Sequence, residues 1–141
     1  MKIQIQKLTK KAEMPFQATV GAAGYDIYCT RTETTKDGKT LLCHTDIAMA
    51  IPEGYAGIVF PRSSVALRGM SMCNSVGVID SDYRGEITGM FTLLADAEPY
   101  KPGERFAQIV FMPVQQVKFG QVAALPETTR GTGGYGSTGK A

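Results

Sequence analysis

The chain has 141 residues, with 15 Lys and Arg against 13 Asp and Glu, so its formal net charge is +2, and 43% of it is hydrophobic. That length forms one domain that buries a core without disulfide staples. The small charge excludes an electrostatic footprint for nucleic acid, and no run of 18 apolar residues is present to span a membrane.

Met1 to Gln6 alternates apolar and polar residues, which predicts an opening strand at Ile3–Leu8 and no signal peptide. Ala23-Gly24-Tyr25-Asp26 places one carboxylate after a glycine turn; alone it reads as a turn-stabilising Asp. Cys29, Cys43 and Cys73 are widely spaced, and no Cys-x-x-Cys occurs. They predict buried free thiols in a reducing cytoplasm, with no zinc site, because Cys43 and His44 are strand neighbours that point to opposite faces. Asp37-Gly38 is a turn signal, and a strand is expected over Leu41–Ile51, apolar on both faces from Ile47 to Ile51.

After the Pro52-Glu53-Gly54 turn comes a strand at Gly57–Phe60. Pro61-Arg62-Ser63-Ser64 then opens a short helix, Ser63–Arg68, with Ser63 and Ser64 as cap types. A guanidinium and two hydroxyls at a helix start suit an anion, although an ordinary cap explains them too. Further strands are expected at Met70–Cys73, Gly85–Leu94 and Arg105–Pro113. No segment sustains a helical apolar stripe. Short strands between frequent turns predict an all-β protein, a sandwich or barrel of jelly-roll type.

The stretch from Asn74 to Glu86 is dense in chemistry. Asp80 follows Val76, Val78 and Ile79, surroundings that can hold a carboxylate in a partly dry cleft. Asp82, two residues on, can share a hairpin face with it. Arg105 and Gln108 are polar residues on an otherwise apolar strand, where an edge ion pair and a satisfied amide also account for them. From Leu125 to Ala141 the chain cannot form a core. Gly131, Gly133, Gly134, Gly136 and Gly139 surround Arg130, Tyr135, Ser137 and Thr138, as in a solvated tail or a phosphate-wrapping loop. The arginines suggest a polyphosphate, but the Walker pattern is missing.

Five segments in this order resemble the five signature motifs of the trimeric dUTPases. They are Ala23 to Ile27, Pro61 to Ser64, Asn74 to Glu86, Gly103 to Gln108, and Arg130 to Gly139. The resemblance runs from about Met14 to Gly139. It implies a jelly-roll-like subunit over residues 1–126 and a flexible arm over 127–141 that closes on the active site. It also implies a homotrimer with three shared sites, and hydrolysis of dUTP to dUMP and pyrophosphate. By the same resemblance Asp80 is the general base. Asn74, Gly77, Val78, Ile79 and Thr88 hold uracil, Tyr83 lies under the deoxyribose, and Tyr135 stacks on the base. Arg62, Ser63, Ser64 and Gln108 bind phosphate, with Arg105 supporting them. Arg130, Ser137, Thr138 and Gly139 clamp the γ-phosphate. Mg²⁺ rides on the phosphates, and Asp26 reaches it only through water. Two positions depart from the family's habit: Tyr135 stands where Phe is usual, and Ala95 where Asn is common. A dCTP deaminase-like relative, or a regulatory trimer that retains the nucleotide pocket, are the alternatives; an interaction module leaves the arginines and the glycine tail unexplained.

Overall fold

The computed structural model describes residues 1–134. Ten strands follow one another: β1 (Gln4–Lys7), β2 (Tyr25–Tyr28), β3 (Arg31–Thr34), β4 (Thr40–His44), β5 (Ile47–Ala50), β6 (Tyr55–Pro61), β7 (Met70–Met72), β8 (Gly77–Ile79), β9 (Thr88–Leu93) and β10 (Arg105–Pro113). They form one sheet in the order β2-β10-β6-β8, a second in the order β3-β4-β9-β7, and a β1-β5 ribbon. Every pairing is antiparallel. The all-β, jelly-roll-like architecture expected from the strand and turn pattern is the observed one.

The two larger sheets bury aromatic rings between them. Phe91 of β9 meets Phe106 of β10 edge to face at 6.0 Å between centroids, and Tyr100 joins both at 5.3 and 6.2 Å. All three are almost fully buried, with Ile27, Leu41, Val59, Ile87 and Ile109 around them. Edge-to-face contact sets the positive rim of one ring against the negative face of the next.

The expected Leu41–Ile51 strand is broken in two. Asp46 takes φ 53°, a left-handed conformation that ends one extended run and starts another in a different direction. Its amide donates to Glu86 Oε1 at 2.8 Å, and the Thr45 hydroxyl donates to the Ile87 carbonyl at 2.6 Å. This corner sends β4 into a large sheet and β5 to β1. Ile47, Ala48, Met49 and Ile51 are all buried, as an apolar run on both faces requires. The Gly85–Leu94 expectation starts too early, since pairing begins at Thr88. Strands β2, β3 and β8 carry weak sequence signals: β3 is the polar run Arg-Thr-Glu-Thr at a sheet edge, and β8 has three residues.

Ser63–Arg68 forms a 3₁₀ helix. Its cap is the extended Arg62, and neither serine makes a side-chain capping bond, contrary to the cap reading. Of the three free thiols, Cys29 and Cys43 are buried as expected but Cys73 is exposed. The Cys29 thiol beside it, and burial, push the Cys43 thiol up, which leaves it inert as a nucleophile.

Gly89 sits where β9 passes under Phe106. A Cβ there would lie 2.6 Å from Phe106 Cε2. Gly89→Ala is expected to lower stability by about 1–3 kcal/mol through overpacking, read as a lower Tm.

Candidate active site

Three motif segments converge at one end of the β2-β10-β6 sheet. Asp26 and Gln108 are directly paired across β2 and β10, and Gln108 faces Phe60 of β6 on its other side. Asp26 is nearly buried and holds two cations. Arg62 Nε stands 3.0 Å from Oδ1, and Arg105 Nη1 stands 3.0 Å from Oδ2. Arg62 also donates to the Arg105 carbonyl at 3.4 Å. Two guanidiniums against one carboxylate leave this end of the sheet net positive, while each guanidinium keeps donors free for a second anion. The Gln108 amide donates to the Pro61 carbonyl at 3.4 Å. A Cβ on Gly24 would fall 2.9 Å from Gln108 Oε1, so glycine leaves the amide its room.

The 3₁₀ helix is anchored beside this cluster. Arg68 grips Glu104 with both nitrogens, at 2.7 and 3.1 Å, and lies 4.6 Å above the Tyr100 ring. The Arg68 hydrogen bonds hold the Glu104 carboxyl below the usual carboxylate range. Segments carrying Arg62 and Arg105 are thereby tied to each other at two points.

The Asn74–Glu86 segment builds a separate place. Val78, Ile79, Asp80, Tyr83, Glu86 and Thr88 line a cavity of about 350 Å³. A second, of about 260 Å³, is lined by Asn74, Thr88, Leu42, Met72, Cys73 and Met90. Thr88 borders both cavities, so Asn74 and Tyr83 flank a common foot. Ser75, at the tip between β7 and β8, is held at φ 58°. At Gly77 a Cβ would come 3.3 Å from Val59 and 3.7 Å from the Asn74 amide nitrogen, so the β8 backbone runs close to both. Asp80 is on the rim. It borders the 350 Å³ cavity and also a larger one, about 690 Å³, with Asp82, Glu53, Tyr55 and Gln116. Asp80 is exposed in this chain, not held in a dry cleft, and only the larger cavity is shared with Asp82.

These two places do not meet within one chain. Ile79 pairs Gly57 in antiparallel register, and Asp80 continues past it, away from Arg62. Gly57 and Arg62 are five residues apart on an extended strand, roughly 16 Å at 3.3 Å per residue. Arg130 is exposed and bonds its own turn, Nε to the Gly133 carbonyl at 3.2 Å. Tyr135, Ser137, Thr138 and Gly139 lie outside the described residues. Sequence reasoning missed Arg68 and Glu104; their only signal was position, six residues after Arg62 and one before Arg105.

A jelly-roll chain with an arginine cluster at one end of a sheet and a backbone-walled cavity beside a carboxylate defines a nucleotide-binding class. The sequence profile of the dUTPase family matches residues 10–139. The chain is 42% identical to the deoxyuridine 5'-triphosphate nucleotidohydrolase of Hydrogenobaculum sp. strain Y04AAS1, over 99% of both chains. It is also 42% identical to that of Corynebacterium glutamicum, over 98% of this chain and 95% of the other. The solved dUTPase of Staphylococcus bacteriophage 80alpha, a G164S mutant with dUpNHpp, superposes with a TM-score of 0.80 at 26% identity, over 98% of each. The chain belongs to the dUTPase family.

Because the folded Glu104 pKa is depressed, its pairing with Arg68 stabilises above the ordinary carboxylate range and is lost as pH falls through the lowered value. Glu104→Gln is expected to lower Tm at pH 7 by at most about 3 °C, as a partly solvated pair allows. The gap between the variant and the parent closes in acid, which a Tm series against pH reads directly.

Proposed function

We propose that this chain hydrolyses dUTP to dUMP and pyrophosphate, in a homotrimer whose active sites are each assembled from all three chains. The observation that carries this reading is the separation of its two half-sites along β6. An arginine cluster suited to a triphosphate stands at one end, and a carboxylate beside a base-sized cavity near the other. Only a neighbouring chain can supply the missing half. The names of the relatives, and the dUpNHpp in the phage enzyme, support the substrate.

In this reading the triphosphate lies against Arg62, Ser63, Ser64 and Gln108. Arg105 keeps Arg62 in place through their shared Asp26. Asn74, the backbone of Gly77, Val78 and Ile79, and Thr88 meet the edge of uracil. Uracil presents N3–H as donor and O4 as acceptor; cytosine inverts that pair and leaves protein groups unpaired, a mismatch worth a factor of about 10⁴. The Tyr83 ring supports the deoxyribose and leaves no space for a 2′-hydroxyl. Asp80 accepts a proton from the water whose oxygen bonds to the α-phosphorus; the bond from that phosphorus to the bridging oxygen breaks, and pyrophosphate leaves. A positioned base contributes about 10²–10⁴-fold.

Among the described residues no group of three or more His, Cys, Asp or Glu side chains gathers to hold a metal ion. Mg²⁺ keeps its waters and takes ligands from phosphates, so it needs no such cluster. Asp26 would touch it through water only, since its oxygens already serve two arginines. When bound, Mg²⁺ neutralises charge on the triphosphate. Residues 127–141 serve as the arm, with Arg130, Ser137, Thr138 and Gly139 on the γ-phosphate and Tyr135 on the base. Among the described residues no helix is long and apolar enough to cross a membrane. The three free thiols fit a reducing, cytoplasmic setting.

The test is pyrophosphate release with Mg²⁺ from dUTP, dCTP, dTTP and UTP. Release from dUTP alone is expected, while ammonia from dCTP would point to a deaminase. Asp80→Asn is expected to bind dUTP nearly as the parent does while kcat falls about 10²–10⁴-fold. Unchanged turnover would remove Asp80 as the base.

A further inference from the structure

The side chains that hold the Asn74–Glu86 hairpin to the body of the protein touch no substrate atom in the reading above, and they converge on one carboxylate. Glu86 Oε2 lies 3.0 Å from His44 Nδ1 and accepts from Arg31 Nη2 at 3.2 Å. Its Oε1 accepts from the Asp46 amide at 2.8 Å. The other face of the His44 ring, Nε2, is 3.3 Å from Glu33 Oε1, and Arg31 also reaches Glu33 at 2.7 Å and Asp46 at 3.6 Å. One carboxylate of the hairpin foot is thus locked against β3, β4 and the left-handed corner at Asp46.

From that foot the constraint passes to Tyr83. The Tyr83 hydroxyl donates to the carbonyl of Glu86 itself at 3.2 Å. Between them, Gly85 lies so close to the Tyr83 ring and hydroxyl that a Cβ there would overlap both. The ring is therefore folded over its own hairpin, and its position follows the peptide of Glu86. Tyr83 and Glu86 border the same 350 Å³ cavity.

We infer that Glu86, clamped by His44 and Arg31, is the positioning residue that sets the Tyr83 ring and thereby determines selection of deoxyribose over ribose. This rests on the proposed placement of Tyr83 against the sugar. A steric filter for one hydroxyl works over tenths of an ångström, so a ring free to retreat slightly admits a ribonucleotide while still supporting the smaller sugar. Folding does not depend on the clamp alone. The Thr45 hydroxyl to the Ile87 carbonyl at 2.6 Å, and the Ile87 amide to the Ile47 carbonyl at 3.0 Å, hold the start of β9 independently.

The experiment compares kcat/KM for dUTP and for UTP in the parent chain, Glu86→Ala, Glu86→Gln, His44→Gln and the exposed control Glu33→Gln. The parent is expected to favour dUTP strongly. Glu86→Ala raises the UTP-to-dUTP ratio by at least about tenfold, as a relaxed steric filter should. Glu86→Gln, which still accepts from the Asp46 amide, restores most of the selectivity, and Glu33→Gln leaves it as in the parent. Equal losses on both substrates, with the ratio unchanged, would show a merely structural role and overturn the inference. Should Glu86→Ala not fold, His44→Gln and Tyr83→Phe read the same ratio, and no change in either is equally fatal. A parent chain that accepts both sugars alike contradicts the placement of Tyr83 itself, a failure seen before any substitution is made.

Discussion

Strand β6 carries Arg62 just beyond one end and pairs with β8, and through it Asp80, near the other. An extended strand does not fold back on itself, so roughly 16 Å of rigid backbone keeps the cationic end and the carboxylate end apart. The β10 strand reinforces this along seven residue pairs, from Ala107 opposite Pro61 to Pro113 opposite Tyr55. The same rigidity makes each half reliable. Asp26, Arg62, Arg105 and Gln108 hold their places because β2, β10 and β6 pair there, and Asn74 and Tyr83 flank Thr88 because β8 is registered on β6 and β9 on β4 and β7.

Carboxylates organise Arg31, Arg62, Arg68 and Arg105. Asp26 holds two guanidiniums together against their mutual repulsion, Glu104 fixes Arg68, and Glu86 shares Arg31 with Asp46. Where a carboxylate serves two cations, the excess positive charge suits a polyanion. Where it serves one cation plus hydrogen-bond donors, the balance is closed and the result is a brace. Asp80, by contrast, has no cation within ion-pair distance among the described residues, which suits a group that must stay free to take a proton.

The fold class was legible because turn residues such as Asp37-Gly38 and Lys101-Pro102-Gly103 bracket apolar runs with no helical period. The break inside Leu41–Ile51 was not legible. Nothing local marks Asp46 as left-handed; its conformation is held by Glu86, forty residues on. Strand β3 was hidden by its polarity and β8 by its shortness. Residue types for the site stood out in sequence, since arginines, hydroxyls and glycines cluster in short segments. Their division into two places did not stand out, because it depends on which strands pair and in what register. The Arg68–Glu104 and His44–Glu86 contacts were invisible for the same reason: their partners are 36 and 42 residues apart.

In the proposed trimer no single chain completes a site, and complementation between two variants reads this out. Two variants, Arg62→Ala and Asp80→Asn, each spoil a different half. Each alone is expected to be inactive, but co-expressed chains that mix at random are expected to recover about a quarter of the parent activity, because half the donors of each half-site are intact. No recovery in mixed trimers, with assembly intact, would contradict the account and place Arg62 and Asp80 in the same chain's site.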